Sequence, residues 1–173
     1  MRTIYLMRHA KSSWQDESVT DFDRPLAKRG RRAATAMGRH LRDRQIAPAQ
    51  ILCSPAQRTR ETLDRMEKYS AATAPVRYEK AIYLAEATVL LRRLTRLSDS
   101  LESVMLIGHN PGVETLARVL VDRPDEASGR QLGAKFPTGA LAVLVADVAR
   151  WHDVRPGCAE LTAFVRPKDL PSD

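Results

Sequence analysis

Cysteine is scarce in this chain: its 173 residues include two, Cys53 and Cys158, in no CxxC or Cys/His zinc spacing. That excludes a disulfide-stapled scaffold and a structural zinc module. Cys53 lies within the apolar run Ile51-Leu52-Cys53 and reads as a small buried hydrophobe. Aromatic residues are also few, at 5%. None is interleaved with the basic run between Lys28 and Arg44, as a base-stacking platform requires. No apolar run approaches the roughly 20 residues needed to cross a bilayer. The first residues lack the apolar core and small-residue cleavage site of a secretory leader, so a cytoplasmic protein is expected. Internal repeats and low-complexity linkers are missing too. Acidic residues fall short of basic ones, 21 Asp and Glu against 28 Lys and Arg, leaving a formal charge of +7. Such an excess points to an anionic partner, either nucleic acid or a phosphorylated compound. Much of it falls in Lys28-Arg29-Gly30-Arg31-Arg32, Arg39, Arg42 and Arg44, which reads as the solvated face of one helix.

What is present is an alternation of strand and helix patterns. Apolar runs predict strands at Arg2 to Met7, Gln50 to Cys53, Val104 to Ile107, Leu141 to Ala146 and Leu161 to Val165. The first and third are almost continuously apolar, as parallel strands buried on both faces must be. Helical spacing places Ala33, Ala34, Met37 and Leu41 on one face of a helix over Lys28 to Gln45. A second helix is expected after Pro55, with Ser54 as N-cap, running to about Tyr69. A third spans Glu86 to Leu97, with Val89, Leu90, Leu94 and Leu97 as its apolar residues. A fourth opens at Pro111 and turns Val113, Leu116, Ala117, Leu120 and Val121 to the core. The alternation predicts one α/β domain over residues 1–173, with a mainly parallel sheet and an antiparallel edge from the last two strands. Two irregular stretches, Ser12 to Pro25 and Asp122 to Gly139, are long enough to be lids or binding loops.

In open α/β sheets, ligands bind beyond the carboxyl ends of the strands. Three strands deliver basic or imidazole side chains to that edge. The first delivers Arg8-His9, the second Ser54-Pro55 and then Arg58, and the third Gly108-His109-Asn110-Pro111. Two of these lead into helix N-termini, whose free N–H groups favour an anion. Arg58 sits in a first turn where the helix dipole prefers Asp or Glu, so a bound anion relieves a local conflict. Four groups of this kind facing one another would repel without an anion between them.

The segments "LMRHAKS", "SPAQRTRET" and "LIGHNPG" together resemble the histidine phosphatase superfamily, or phosphoglycerate mutase-like proteins, over nearly the whole chain and in the expected order. "DFDRPLAKRG", "PTGALA" and "RPKDL" are similar to its SixA-type phosphohistidine phosphatase branch. The resemblance implies a three-layer αβα sandwich. Ala10 stands where the usual Arg-His-Gly triplet has glycine, so the loop must avoid a positive φ there.

The resemblance further implies a phosphatase that needs no cofactor or metal, with His9 as nucleophile forming a covalent phosphohistidine. Arg8, Arg58 and a protonated His109 would hold the phosphoryl oxygens. The physics agrees: an imidazole can attack phosphorus in line, guanidinium forks suit phosphate, and nearby cations keep His9 neutral. A backbone carbonyl on its other ring nitrogen would fix the tautomer. Glu86, in Leu84-Ala85-Glu86, fits either a general acid or a residue that opens a helix. Asn110 fits either phosphate binding or shaping of the turn before Pro111, and Thr138 either phosphate binding or a turn beside Gly139. Lys11 and Ser12 fit the pocket entrance, and His40 and His152 fit structure or surface. The expected substrate is phosphohistidine in a protein. Small phosphomonoesters are the alternative within the same chemistry, and non-catalytic binding of phosphorylated protein or nucleic acid the alternative outside it. Neither a nucleic-acid partner nor a membrane is expected for the leading reading.

Overall fold

A computed structural model describes residues 1–70, 74–122, 132 and 135–171. Its centre is a six-stranded sheet. The strands are β1 (Arg2–Arg8), β2 (Gln50–Cys53), β3 (Val76–Tyr78), β4 (Ser103–Gly108), β5 (Leu141–Ala146) and β6 (Ala159–Val165). Their order across the sheet is β3-β2-β4-β1-β5-β6. The pairings β3–β2, β2–β4 and β4–β1 are parallel, while β5 runs antiparallel to both β1 and β6. The helices are α1 (Lys28–Asp43), α2 (Gln57–Glu67), α3 (Ala87–Leu94) and α4 (Gly112–Leu120).

Alternation along the strands builds a core on each face of the sheet. Ile4 and Leu6 of β1, with Val104 and Leu106 of β4, pack with Leu90 and Leu94 of α3 and Val113, Leu116 and Leu120 of α4. Met7, Met105 and Ile107 project to the other face and meet Met37 and Leu41 of α1 and Leu63 and Met66 of α2. The result is the three-layer αβα sandwich. Each fully buried aliphatic side chain contributes about 1.5–3 kcal/mol, and β1 is paired along both edges, lying between β4 and β5, and covered on both faces by these two cores. Helices α1 and α2 approach closely at Gly38, where a Cβ would lie 2.5 Å from the Met66 carbonyl oxygen.

Several expectations need correction. Strand β3 was not read from the sequence: Val76-Arg77-Tyr78 is a short, half-exposed edge with no apolar run. Ser54 does not cap α2, whose N-cap is Ala56 and has no side-chain hydrogen bond. Val89 is 38% exposed rather than core, because α3 turns only one narrow face, Leu90 and Leu94, inward. The loop from Ser12 to Pro25 is irregular as expected, but its base is pinned by a bridge between Ser12 and Leu26 and by Ser13 N–H to Pro25 O. Most of the Asp122 to Gly139 stretch lies outside the described residues. Among the described residues no helix is long and apolar enough to cross a membrane.

Candidate active site

The adjacent ends of β1, β2 and β4 bring Arg8, His9, Arg58 and His109 together, as the sequence predicts. Strand β1 ends at Arg8 and the chain carries on to His9, 8% exposed. Parallel pairing puts Arg8 opposite Gly108, so His109 emerges beside His9. The two imidazole rings lie 5.2 Å apart, centroid to centroid. Arg58 enters from the first turn of α2 and is 2% exposed.

One hydrogen bond defines the state of His9. Its Nδ1 lies 2.7 Å from the Ala10 carbonyl oxygen. A carbonyl can only accept, so Nδ1 carries the proton and Nε2 keeps its lone pair. Burial pushes the His9 pKa down to about 4, and Arg58, Arg8 and Arg24 push in the same direction. Ala10 is itself fixed by its N–H to Thr62 Oγ1, 3.0 Å, and does not adopt a positive φ. A left-handed residue packs against this loop instead: Gly139, φ 79°, whose N–H reaches the carbonyls of Arg8 and His9.

His109 is buried as well. Burial, then His9 and Arg58, lower its pKa to about 3, so the protein by itself holds this imidazole neutral. Its Nε2 lies 2.7 Å from Ser54 Oγ, which gives Ser54 a site role in place of the expected cap. Its Nδ1 is buried with no hydrogen-bond partner among the described residues, and so are Arg8 Nε and Arg58 Nε. Three segments thus converge with buried nitrogens that can bind an oxyanion.

The network that holds Arg58 was not read from the sequence. Its guanidinium donates to the Asp21 carbonyl and, at 3.1 Å, to Asp21 Oδ2. Asp21 also accepts Tyr83 OH at 2.6 Å and Arg24 Nη2 at 2.7 Å. The Tyr83 hydrogen bond, helped by Arg58 and Arg24, lowers the Asp21 pKa to about 2. The Tyr83 ring stands edge-on to His109, centroids 5.4 Å apart. The sequence signal was the "DFDRPLAKRG" segment, which supplies Asp21 and Arg24 from a loop far from Arg58 in the chain.

The remaining candidates separate. Arg8 Nη1 donates to the Phe136 carbonyl at 2.8 Å. Asn110 Nδ2 donates to Glu114 Oε2 and to the same Phe136 carbonyl. Glu86 is exposed at the N-cap of α3, and no hydrogen bond joins it to the four grouped side chains among the described residues. Thr138 is half-buried beside Gly139, Lys11 is exposed, and Ser12 is buried and accepts Arg24 Nη1. His40 is half-buried on α1, and His152 lies on the surface next to Asp153. Among the described residues no three His, Cys, Asp or Glu side chains gather as a metal site would require.

Known proteins resemble this chain in sequence and in fold. Residues 4–83 match the histidine phosphatase superfamily (branch 1). An uncharacterised protein of Mycobacterium tuberculosis is 38% identical over 164 residues, covering 94% of this chain and 100% of that one. A solved structure assigned as phosphohistidine phosphatase SixA of Nakamurella multipartitia superposes with a TM-score of 0.83, at 33% identity and 96% coverage of both chains. Another so assigned, from Agrobacterium tumefaciens, gives 0.82 at 29% identity, covering 96% of this chain and 98% of that one. The chain belongs to the histidine phosphatase superfamily, in its SixA-type branch, and is a phosphatase.

Proposed function

We propose that this phosphatase removes phosphate from phosphohistidine in a protein, through a covalent intermediate on His9 and without a metal ion. The observation that carries the reading is the Nδ1–H bond of His9 to the Ala10 carbonyl, 2.7 Å, which leaves Nε2 unprotonated. Nε2 attacks phosphorus in line, and the P–N bond to the substrate imidazole breaks with its electron pair on the departing nitrogen. A proton on that ring's other nitrogen lets it leave as neutral imidazole. Water then attacks the His9 adduct, the Nε2–P bond breaks, and inorganic phosphate departs with the remaining water proton released to solvent. Arg8, Arg58 and His109 hold the oxygens throughout. A phosphoryl dianion raises the pKa of an adjacent imidazole, so His109 takes up its proton as substrate binds.

The choice of leaving group follows from the acids around the site. Asp21, bonded to Arg58, is held near pKa 2 and is a carboxylate at neutral pH. Glu86 is exposed, and among the described residues no hydrogen bond joins it to the four grouped side chains. An alkoxide leaving group needs a proton from the enzyme, whereas imidazole, with a conjugate-acid pKa of about 6.5, does not. The SixA assignment of the two similar structures supports the same substrate class. The donor set, two guanidiniums and two imidazoles, suits an anion better than a cation.

The test compares rates on a phosphohistidine protein with rates on a panel of small phosphate esters, for the parent and His9→Ala. The parent should prefer the phosphohistidine protein, retain activity in chelator, and form an acid-labile phosphoenzyme that His9→Ala lacks. Parental turnover by His9→Ala, or faster hydrolysis of an alkyl ester, would refute the assignment.

A further inference from the structure

Beside the phosphoryl site runs a cleft of about 1030 Å³ between α1 and the C-terminal segment Arg166 to Pro171. This is at the upper end of the roughly 300–1,000 Å³ of small-ligand pockets. Its walls carry Lys11, Arg29, Arg32, Lys135, Arg166 and Lys168. Of these, Arg166 is paired with Asp169, and no acidic residue lines the cleft among the described residues. Arg29 and Arg32, read from the sequence as a solvated helix face, thus share a concave surface with cations from three other segments. The floor is apolar, made by Ala33, Ala36, Pro167 and Leu170.

The cleft joins the catalytic loop. Lys11 is two residues beyond His9, and its carbonyl accepts the Ala27 N–H at the start of α1. Thr138 lines the cleft beside Gly139, whose N–H bonds the His9 carbonyl. A Cβ at Gly139 would lie 2.9 Å from Pro167 Cγ and 3.7 Å from Ala33 Cβ, so the floor begins one residue from the nucleophile's own backbone contact.

We infer that this cleft docks an acidic, partly apolar polypeptide segment of the protein that carries the phosphorylated side chain, an inference that rests on the function proposed above. Opposed cations on several segments give a complementary field for carboxylates. The apolar floor gives aliphatic side chains a place to be buried, which a bare polyphosphate would leave unused. Nucleic acid fits less well, because among the described residues no aromatic side chain lines the cleft to stack a base.

The test uses two 15-residue peptides with a central phosphohistidine, one flanked by Glu and Leu, the other by Lys and Leu. The parent should turn over the acidic peptide at least about tenfold more efficiently at low salt, a ratio that shrinks as salt screens the field. Arg29→Glu/Arg32→Glu should abolish that preference while p-nitrophenyl phosphate hydrolysis stays within about twofold. Both positions are exposed and Glu is a good helix former, and at Arg29, in the first turn of α1, it also suits the dipole, so this variant should fold. An unchanged preference would overturn the inference. Binding of fluorescein-labelled, unphosphorylated peptides, read by anisotropy, keeps the two proposals apart. Selective binding of the acidic peptide without turnover of either phosphopeptide would sink the proposed function and support the docking cleft. Equal binding of both peptides, or tighter binding of a 20-nucleotide single-stranded DNA, would overturn the cleft assignment.

Discussion

Acid should destabilise this protein through its two site histidines, over a window set by their pKa values. His9 is held near 4 and His109 near 3, chiefly by burial. In the unfolded chain both titrate near 6.5. Between about pH 6.5 and 4 the unfolded chain therefore binds more protons than the folded one, and stability falls as pH falls. Linkage gives a loss of about 2 kcal/mol per histidine between about pH 7 and about pH 4.5, or about 4–5 kcal/mol for both. That is a large part of a typical 5–15 kcal/mol. Asp21, near 2, acts in the same direction but lower, from about pH 4 downward, and stays out of this window. The assay is urea unfolding at the two pH values, followed by fluorescence of the fully buried Trp151. His9→Asn is the comparison, because its amide can keep the donor to the Ala10 carbonyl without a titrating ring. The parent should lose about 2 kcal/mol more than His9→Asn on acidification. Equal losses would refute the claim that burial and the arginine field hold this imidazole neutral.

Three other outcomes follow from the same geometry. Arg58→Lys keeps the charge but loses the fork held by Asp21, and should lower kcat by roughly 10²–10³ with the fold intact by circular dichroism. Gly112→Ala would place a Cβ 1.9 Å from the Ala85 carbonyl oxygen; it should cost about 3 kcal/mol, read as a fall in Tm of about 6–12 °C. Glu86→Gln should leave turnover of phosphohistidine protein within about twofold, since Glu86 is exposed and no hydrogen bond joins it to the four grouped side chains among the described residues. A selective loss on alkyl esters would place its carboxyl at the leaving group.

Periodicity made most of the sheet legible. β1 and β4 are nearly continuous apolar runs because α-helices cover both faces, and that pattern survives without any knowledge of neighbours. Val76–Tyr78 escaped for the opposite reason: at the edge, beside β2 alone, it buries too little to leave a pattern. Ser54 was misplaced because a serine before proline carries the same signal whether it caps a helix or faces a histidine. Only the tertiary position of His109, 2.7 Å from Ser54 Oγ, decides between the two.

The site was legible where chemistry sits at strand ends, and illegible where it depends on a loop folding back. Arg8, His9, Arg58 and His109 each end a strand, follow one or lie in a helix's first turn, so sheet topology alone converges them. Asp21 and Tyr83 come from connections whose course no periodicity fixes. Yet those two residues hold Arg58 and stand beside His109. Tyr83 and the arginines keep Asp21 ionised, and an ionised Asp21 can orient Arg58 but cannot protonate a leaving group. A carboxylate beside a cationic grip is thus placed to orient Arg58, and its charge state is set by the hydrogen bonds that its loop and Tyr83 bring to it.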